Sequence, residues 1–322
     1  MRDVSTVQRD KCSFVLCTRN VEGSISTLLQ AIYNQDYDGE IEVIIMDSSD
    51  DRTPDVVRDF PINLVRVEPQ DYNNAKTRNE GVCLTNGDLL IFLSVDIEIR
   101  DKFWLSKLTR HFSIPEVAGV FGRQIPKEDA QPMEKFFYEH IYTEDTVTLE
   151  LIEGKLNHKM HVYFSNVNAA IRRSVWEDIK LPEMLISEDL EWARIALAAG
   201  YKIIYDSQAA VYHSHRRSLK NALQWYFDNG ATMPVTHDNT IIDSSIGNFT
   251  WEGIKFVGAE YKYMLQNGYR YWIPYAIIYD LTKFLGVFLG SQQKYLPVWM
   301  KKALTQKKYH WDKYSTVIKE IT

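Results

Sequence analysis

Five short runs of β-branched and aliphatic residues alternate with segments of helical spacing through the first third of the chain. The runs are CSFVLCT (12–18), IEVIIMD (41–47), INLVRV (62–67), DLLIFLS (88–94) and EVAGVFG (116–122). Helical spacing fills 23–35, 53–60, 73–84 and 101–112 between them. Runs this apolar leave no face for water, so they belong in a parallel sheet covered on both sides, and each parallel pair needs a helix to return the chain. The expectation is an α/β fold. Ligands of such sheets sit beyond the carboxyl ends of the strands, which directs attention to the residue just after each run.

Downstream the pattern changes. It loosens over 130–165, where YTEDTVTLELIEGKLNH reads as an excursion over the site. Residues 162–179 read as a strand entering a helix, and 187–200 as a helix with Ser187 as N-cap and Gly200 just past its end. Residues 201–215 read as two short strands. From about 217 the chain is helical and aromatic. This divides it into an α/β unit, 1–230, and a helical C-terminal region, 231–322.

Several function classes fall away. The net charge of −6 argues against a nucleic-acid binder that relies on global positive charge. GxGxxG and GxxxxGK[ST] are both absent, which weighs against dinucleotide oxidoreductases and P-loop NTPases. Cys12, Cys17 and Cys83 lie in apolar segments without zinc-type spacing and are too few for a disulfide scaffold, so they read as core thiols of a reducing, cytosolic compartment. The polar start MRDVSTVQRDK has no signal-peptide core, and no run of about 18 uninterrupted apolar residues predicts a spanning helix.

Candidate chemistry gathers at the strand tips. Asp47 ends the second run; Ser94 and Asp96 follow the most hydrophobic one. A carboxylate beside a hydroxyl there can hold a hard divalent cation, although any single acid at a strand tip can also cap a turn. Lys76 and Arg78 are candidates for phosphate charge, or else a solvated helix face. Glu188 and Asp189 open a helix, either complementing its dipole or supplying a general base. His213 and His215 alternate in VYHSH and so point the same way in a strand, as paired ligands for Mn²⁺ would. Residues 270–290 combine Tyr271, Trp272, Tyr275 and Tyr279 with Ile and Phe, interrupted by Asp280 and Lys283, and Lys301, Lys302, Lys307 and Lys308 follow. That segment reads as a buried core or dimer helix, or as one lying in a membrane interface.

Taken in order, SFVLCTRN, VIIMDSSDDRT, AKTRNEGV, LIFLSVD, GRQIP, FSNVNAAIRR, EDLEWA and YHSH resemble a family 2 glycosyltransferase of the GT-A fold, closest to the rhamnosyltransferase-like surface-polysaccharide group. The resemblance implies a Rossmann-like, mostly parallel sheet flanked by helices over 1–230. It implies that Thr18 and Arg19 meet the nucleotide, that Asp47 pairs with the base, and that Arg78 lies near base and diphosphate. Ser94-Val95-Asp96 stands in place of the usual DxD, with Asp96 and His213 as metal ligands and His215 in reserve. Asn166, Asn168 and Glu188 fall in the donor and acceptor region, and Asp189 matches the catalytic base. The activity implied is inverting transfer of a sugar, rhamnose favoured, from a nucleoside-diphosphate donor with Mn²⁺ or Mg²⁺. The acceptor is a hydroxyl of a glycan or polyprenyl-diphosphate-linked saccharide. Such an enzyme is cytoplasmic, at the inner face of the membrane or as a homo-oligomer. The alternatives are transfer of another hexose, or a non-catalytic binding subunit.

Overall fold

The structure is a computed structural model and describes residues 10–158, 164–236 and 246–312. Most of the polar N-terminal stretch and residues 162–163 of the strand-to-helix segment lie outside the described residues. In chain order the first block is β1 (Cys12–Thr18), α1 (Ile25–Tyr33), β2 (Ile41–Asp47), α2 (Thr53–Val57), β3 (Asn63–Arg66), α3 (Asn74–Cys83) and β4 (Leu89–Leu93). Then come β5 (Glu98–Ile99), α4 (Trp104–Thr109), β6 (Val117–Ile125), α5 (Pro132–Ile141), β7 (Val147–Leu149) and the hairpin β8 (Leu151–Ile152) with β9 (Lys155–Leu156). β10 (Asn168–Arg172), α6 (Arg173–Asp178), α7 (Glu188–Ala198) and β11 (Lys202–Tyr212) complete the sheet unit. The C-terminal helices are α8 (Leu219–Thr236), α9 (Ile246–Gln266), α10 (Ile273–Ser291) and α11 (Val298–Leu304).

The sheet runs β3-β2-β1-β4-β10-β6-β11-β5, with β7 also paired to β11. The first four strands are parallel, as their unbroken apolar runs require; β10 is inserted antiparallel between β4 and β6. Successive residues face opposite layers. Phe14, Leu16, Ile91 and Trp104 pack on one side; Val15, Phe92, Phe121, Trp192 and Tyr205 pack on the other.

Four expectations are corrected. Residues 201–215 hold one strand rather than two; the interruption is a register shift between Asp206 and Val211 inside β11. That shift carries the main chain of Ala209 against β6, where a Cβ at Gly122 would fall 1.9 Å from the Ala209 carbonyl oxygen, so only glycine fits. The looser stretch from 130 contains α5, and β7 from the same stretch joins the sheet. Ser187 adopts φ 66° and its side chain caps nothing. Cys83 is exposed at the end of α3, whereas Cys12 is buried.

α8 passes unbroken through residue 230, and α10 lies against it. Built Cβ atoms at Gly230 and Gly290 would come 2.3 Å from the Val287 carbonyl oxygen and 2.1 Å from that of Phe227, so the two backbones meet on glycine. α10 also turns its charges inward. Asp280 is buried, Lys283 bonds it at 2.8 Å and Glu260 of α9 at 3.5 Å, while Ile277, Ile278, Leu281, Phe284, Leu285 and Phe288 face outward. Tyr279 faces inward too, unlike the exposed Tyr271. By length and composition Arg270–Ser291 is long and apolar enough to cross a membrane, despite the interrupted sequence.

Candidate active site

The parallel register places Thr18 opposite Asp47, and Asp47 opposite Arg66. Asp47 is fully buried. Its Oδ1 accepts from the Thr18 and Ser49 hydroxyls, each at 2.6 Å, and its Oδ2 from the Arg66 guanidinium. Arg66, absent from the sequence expectations, holds the acid in place. The third run, INLVRV, continues to Val67 and gave no sign of this pairing, which the β2–β3 register supplies.

Beyond these tips lies a cavity of about 800 Å³, lined by Cys17, Thr18, Arg19, Ser48, Tyr72 and Lys76, with residues 302–312 forming its other wall. Its floor holds the Asn73 cap, whose Oδ1 accepts from the Ala75 and Lys76 N–H groups. Arg19 is exposed at its rim.

A second cavity of about 440 Å³ is lined by Ser94, Gln124, Tyr138, Asn166, Asp189, His213 and His215, among others. Asp96 and the two histidines bring ligand atoms within 4.8 Å of one another. His213 Nε2 stands 3.6 Å, and His215 Nδ1 3.3 Å, from the Asp96 carboxylate. The Ser94 hydroxyl donates to Asp96 Oδ1 at 2.5 Å, so the hydroxyl of Ser94-Val95-Asp96 orients the acid. Burial opposes the Asp96 charge, yet the neighbouring His213 and the hydrogen bond from Ser94 hold its carboxyl well below the usual range.

Gln124 sets the histidine. Its Nε2 donates to Tyr142 Oη at 2.6 Å, so its Oε1 faces His213 Nδ1 at 2.8 Å and accepts that proton. His213 Nε2 is then left with a lone pair, buried and without a hydrogen-bond partner. Burial above all pushes His215 down to about 4, so it is neutral at pH 7. One carboxylate and two imidazoles, one with a buried nitrogen that no protein group bonds, fit a divalent cation. GRQIP contains Gln124, but its spacing from the histidines gave no sign of contact.

Asp189, in the first turn of α7, lines the same cavity. Its two oxygens accept the Asn166 and Leu190 N–H groups at 3.0 and 2.9 Å, leaving lone pairs on both. Burial, then the adjacent Glu188 charge, push its carboxyl up to about 6. Glu188 is occupied, accepting from Arg78 at 2.5 Å. Arg78 is therefore tethered to α7 rather than extended into the larger cavity. The Asn166 amide is buried at the cavity wall with neither end hydrogen-bonded by protein. Asn168 is not brought to either cavity. Its amide is consumed by the fold, accepting from Trp104 Nε1 at 3.0 Å and donating to the Ala209 carbonyl at 2.8 Å. Val95 packs beneath the tip with the apolar layer.

Residues 13–180 match the family described as Glycosyl transferase family 2. The O-antigen chain rhamnosyltransferase RfbN of Salmonella typhimurium is 32% identical over 308 residues, covering 94% of this chain and 96% of its own. The O-antigen chain rhamnosyltransferase WbaN of Salmonella anatum is 32% identical over 274 residues, 84% of this chain and 85% of its own. Among solved structures, the mannosyltransferase PcManGT from Pyrobaculum calidifontis, in complex with GDP-Man and Mn²⁺, shares the fold. Its TM-score is 0.61 at 17% identity over 89% of both chains. The matched span carries the strand tips with Asp47 and Asp96, and the full-length relatives extend over Asp189 and both histidines; by this kinship the chain belongs to glycosyl transferase family 2 and is a nucleotide-sugar glycosyltransferase.

Proposed function

We propose that the chain is an inverting rhamnosyltransferase of cell-surface polysaccharide synthesis. The observation that carries the mechanism is Asp189, a carboxylate pushed up to about 6 in the cavity that holds the Asp96, His213 and His215 cluster. An acceptor hydroxyl attacks the anomeric carbon, Asp189 takes its proton, and the bond to the donor diphosphate breaks. A retaining double displacement needs a second carboxylate as nucleophile. Glu188 is tied to Arg78, and Glu134 Oε1 accepts from the His215 N–H and from Arg217; with Asp189 as the base, the reading is one direct displacement with inversion.

A divalent cation, Mn²⁺ or Mg²⁺, would be held by Asp96 with His213 and His215 and would supply positive charge to the leaving diphosphate. Thr18 and Arg19 meet the nucleotide, with the buried Asp47 holding the Thr18 hydroxyl from beneath, and the free Asn166 amide binds sugar hydroxyls. Met133, Phe137 and Tyr138 give the smaller cavity an apolar wall suited to the methyl group of a 6-deoxyhexose. Rhamnose as donor and a glycan hydroxyl as acceptor are supported by the two full-length relatives, both O-antigen chain rhamnosyltransferases. The outward apolar face of α10 rests on the inner face of the cell membrane, lying there because its other side packs on α8.

Donor hydrolysis tests this reading. The full-length protein with Mn²⁺ is offered thymidine-, uridine- and guanosine-diphosphate hexoses and their rhamnose counterparts. A rhamnose donor should release nucleoside diphosphate fastest, and Asp96→Ala should lose the Mn²⁺-dependent part of donor binding. Faster release from another hexose reassigns the sugar. Binding without any release makes the protein a non-catalytic reader of nucleotide sugars.

A further inference from the structure

The two cavities meet, and the residues they share are Asn74, Gln306 and Lys307. A donor with its base in the larger cavity and its sugar in the smaller one carries its diphosphate across that line. Lys307 is the cation of the three. We propose that Lys307 is a diphosphate-binding residue of the donor site, delivered by a C-terminal strap, 305–312, that α8 holds down; the assignment rests on the donor reading above.

The sequence groups Lys307 with Lys301, Lys302 and Lys308 as a cationic run, but the structure separates them. Lys301 bonds Gln293, while Lys302, paired with Asp312, and the exposed Lys308 line only the larger cavity. Lys307 alone turns between the cavities. Its Nζ lies 3.3 Å from Asn74 Oδ1 and 5.5 Å from the centre of the Tyr72 ring. Among the described residues no carboxylate is within ion-pairing distance of it. Arg78 and Arg217, the neighbouring guanidiniums, already have Glu188 and Glu134 as partners. Burial lowers the Lys307 pKa, the mark of an ammonium short of compensating charge. Oxygens of a diphosphate would supply that charge, and a lysine on its four-carbon stem can reach either phosphate.

The strap is built rather than draped. Thr305 and Asp228 of α8 are both fully buried. The Thr305 hydroxyl donates to Asp228 Oδ1 at 2.5 Å, and the Gln306 N–H to Oδ2 at 3.0 Å. The Lys307 N–H then donates to Thr305 Oγ1 at 2.9 Å. On the far side Trp311 is buried with Leu185, Ile186 and Phe227. Lys307 is thus fixed from both directions, and Asp228 acts as a positioning residue through Thr305.

Calorimetry on the full-length protein with Mn²⁺ and UDP, dTDP or GDP, whichever binds best, tests the assignment, with the matching nucleoside followed by saturation-transfer NMR. Lys307→Gln should bind the nucleoside diphosphate about 10- to 100-fold more weakly, the loss of one charge-assisted contact, and leave nucleoside binding within about twofold. Lys307→Arg should recover most of the loss. Asp228→Ala should reproduce the weakening with Lys307 intact. Equal nucleoside-diphosphate affinity in wild type and Lys307→Gln overturns the role, as does a parallel loss of nucleoside binding. A wild-type protein that binds none of the three nucleoside diphosphates overturns the donor reading itself.

Discussion

Asp189 answers to two demands at once, because the groups that raise its pKa also decide when it can accept a proton. Turnover should rise with pH through about 6 and level off above, since below that value the carboxyl is already protonated. Asp189→Asn should lower kcat about 10²-fold or more while donor affinity changes little. A flat kcat profile between pH 5 and 7, or near-normal turnover in the variant, would remove Asp189 from the role of base. Stability carries the opposite sign. A carboxyl raised on folding favours the protonated form, so its contribution is present at low pH and lost as pH rises through about 6. Residue by residue, the strand-tip acids and the histidine pair were readable because each follows an apolar run. Gln124, Arg66 and Lys307 were not, because their partners are His213, Asp47 and Asn74, and only the folded register or a long return of the chain supplies those.

Helices and strands were legible where burial is one-sided or complete. β1, β2 and β4 read as strands because all their residues but a few are buried, and period-independent apolar runs of that length fit only a covered sheet. β5 and β7 were missed because they are short edge partners of β11. α10 was read as a core or an interfacial helix with no face assigned to Asp280 and Lys283, because only the packing on α8 and α9 turns both of them inward. The same region offers a paired measurement. A methyl at Gly258 on α9 meets no heavy atom within 4 Å, so Gly258→Ala should stabilise by about 0.5–1 kcal/mol through helix propensity. Gly290→Ala places its methyl against the main chain of α8 and should cost about 1–3 kcal/mol in spite of the same propensity gain. Thermal melts of the two variants should shift in opposite directions; shifts of the same sign would mean that α8 and α10 are not in close contact.

Over the whole molecule, polar chemistry collects at the sheet tips and apolar surface collects on α10. Anionic vesicles should therefore pellet the protein at low salt and release part of it at high salt, as screening removes the lysine contribution. Leu281→Glu, Leu285→Glu and Phe288→Glu combined should leave it in the supernatant while donor hydrolysis continues. Pelleting of wild type and triple variant alike would exclude α10 as the contact. The sheet order has a different consequence, one that concerns time. β4 pairs with β1 on one edge and with β10 on the other, and β6 reaches the first four strands only through β10. While the chain is being made, the far edge of β4 therefore stays open until residues 168–172 have emerged. Completion of the Asp96 cluster waits longer, for residues 213 and 215. An antiparallel strand set at the centre of the sheet makes the ribosome finish more than half of the chain before its most hydrophobic strand is covered.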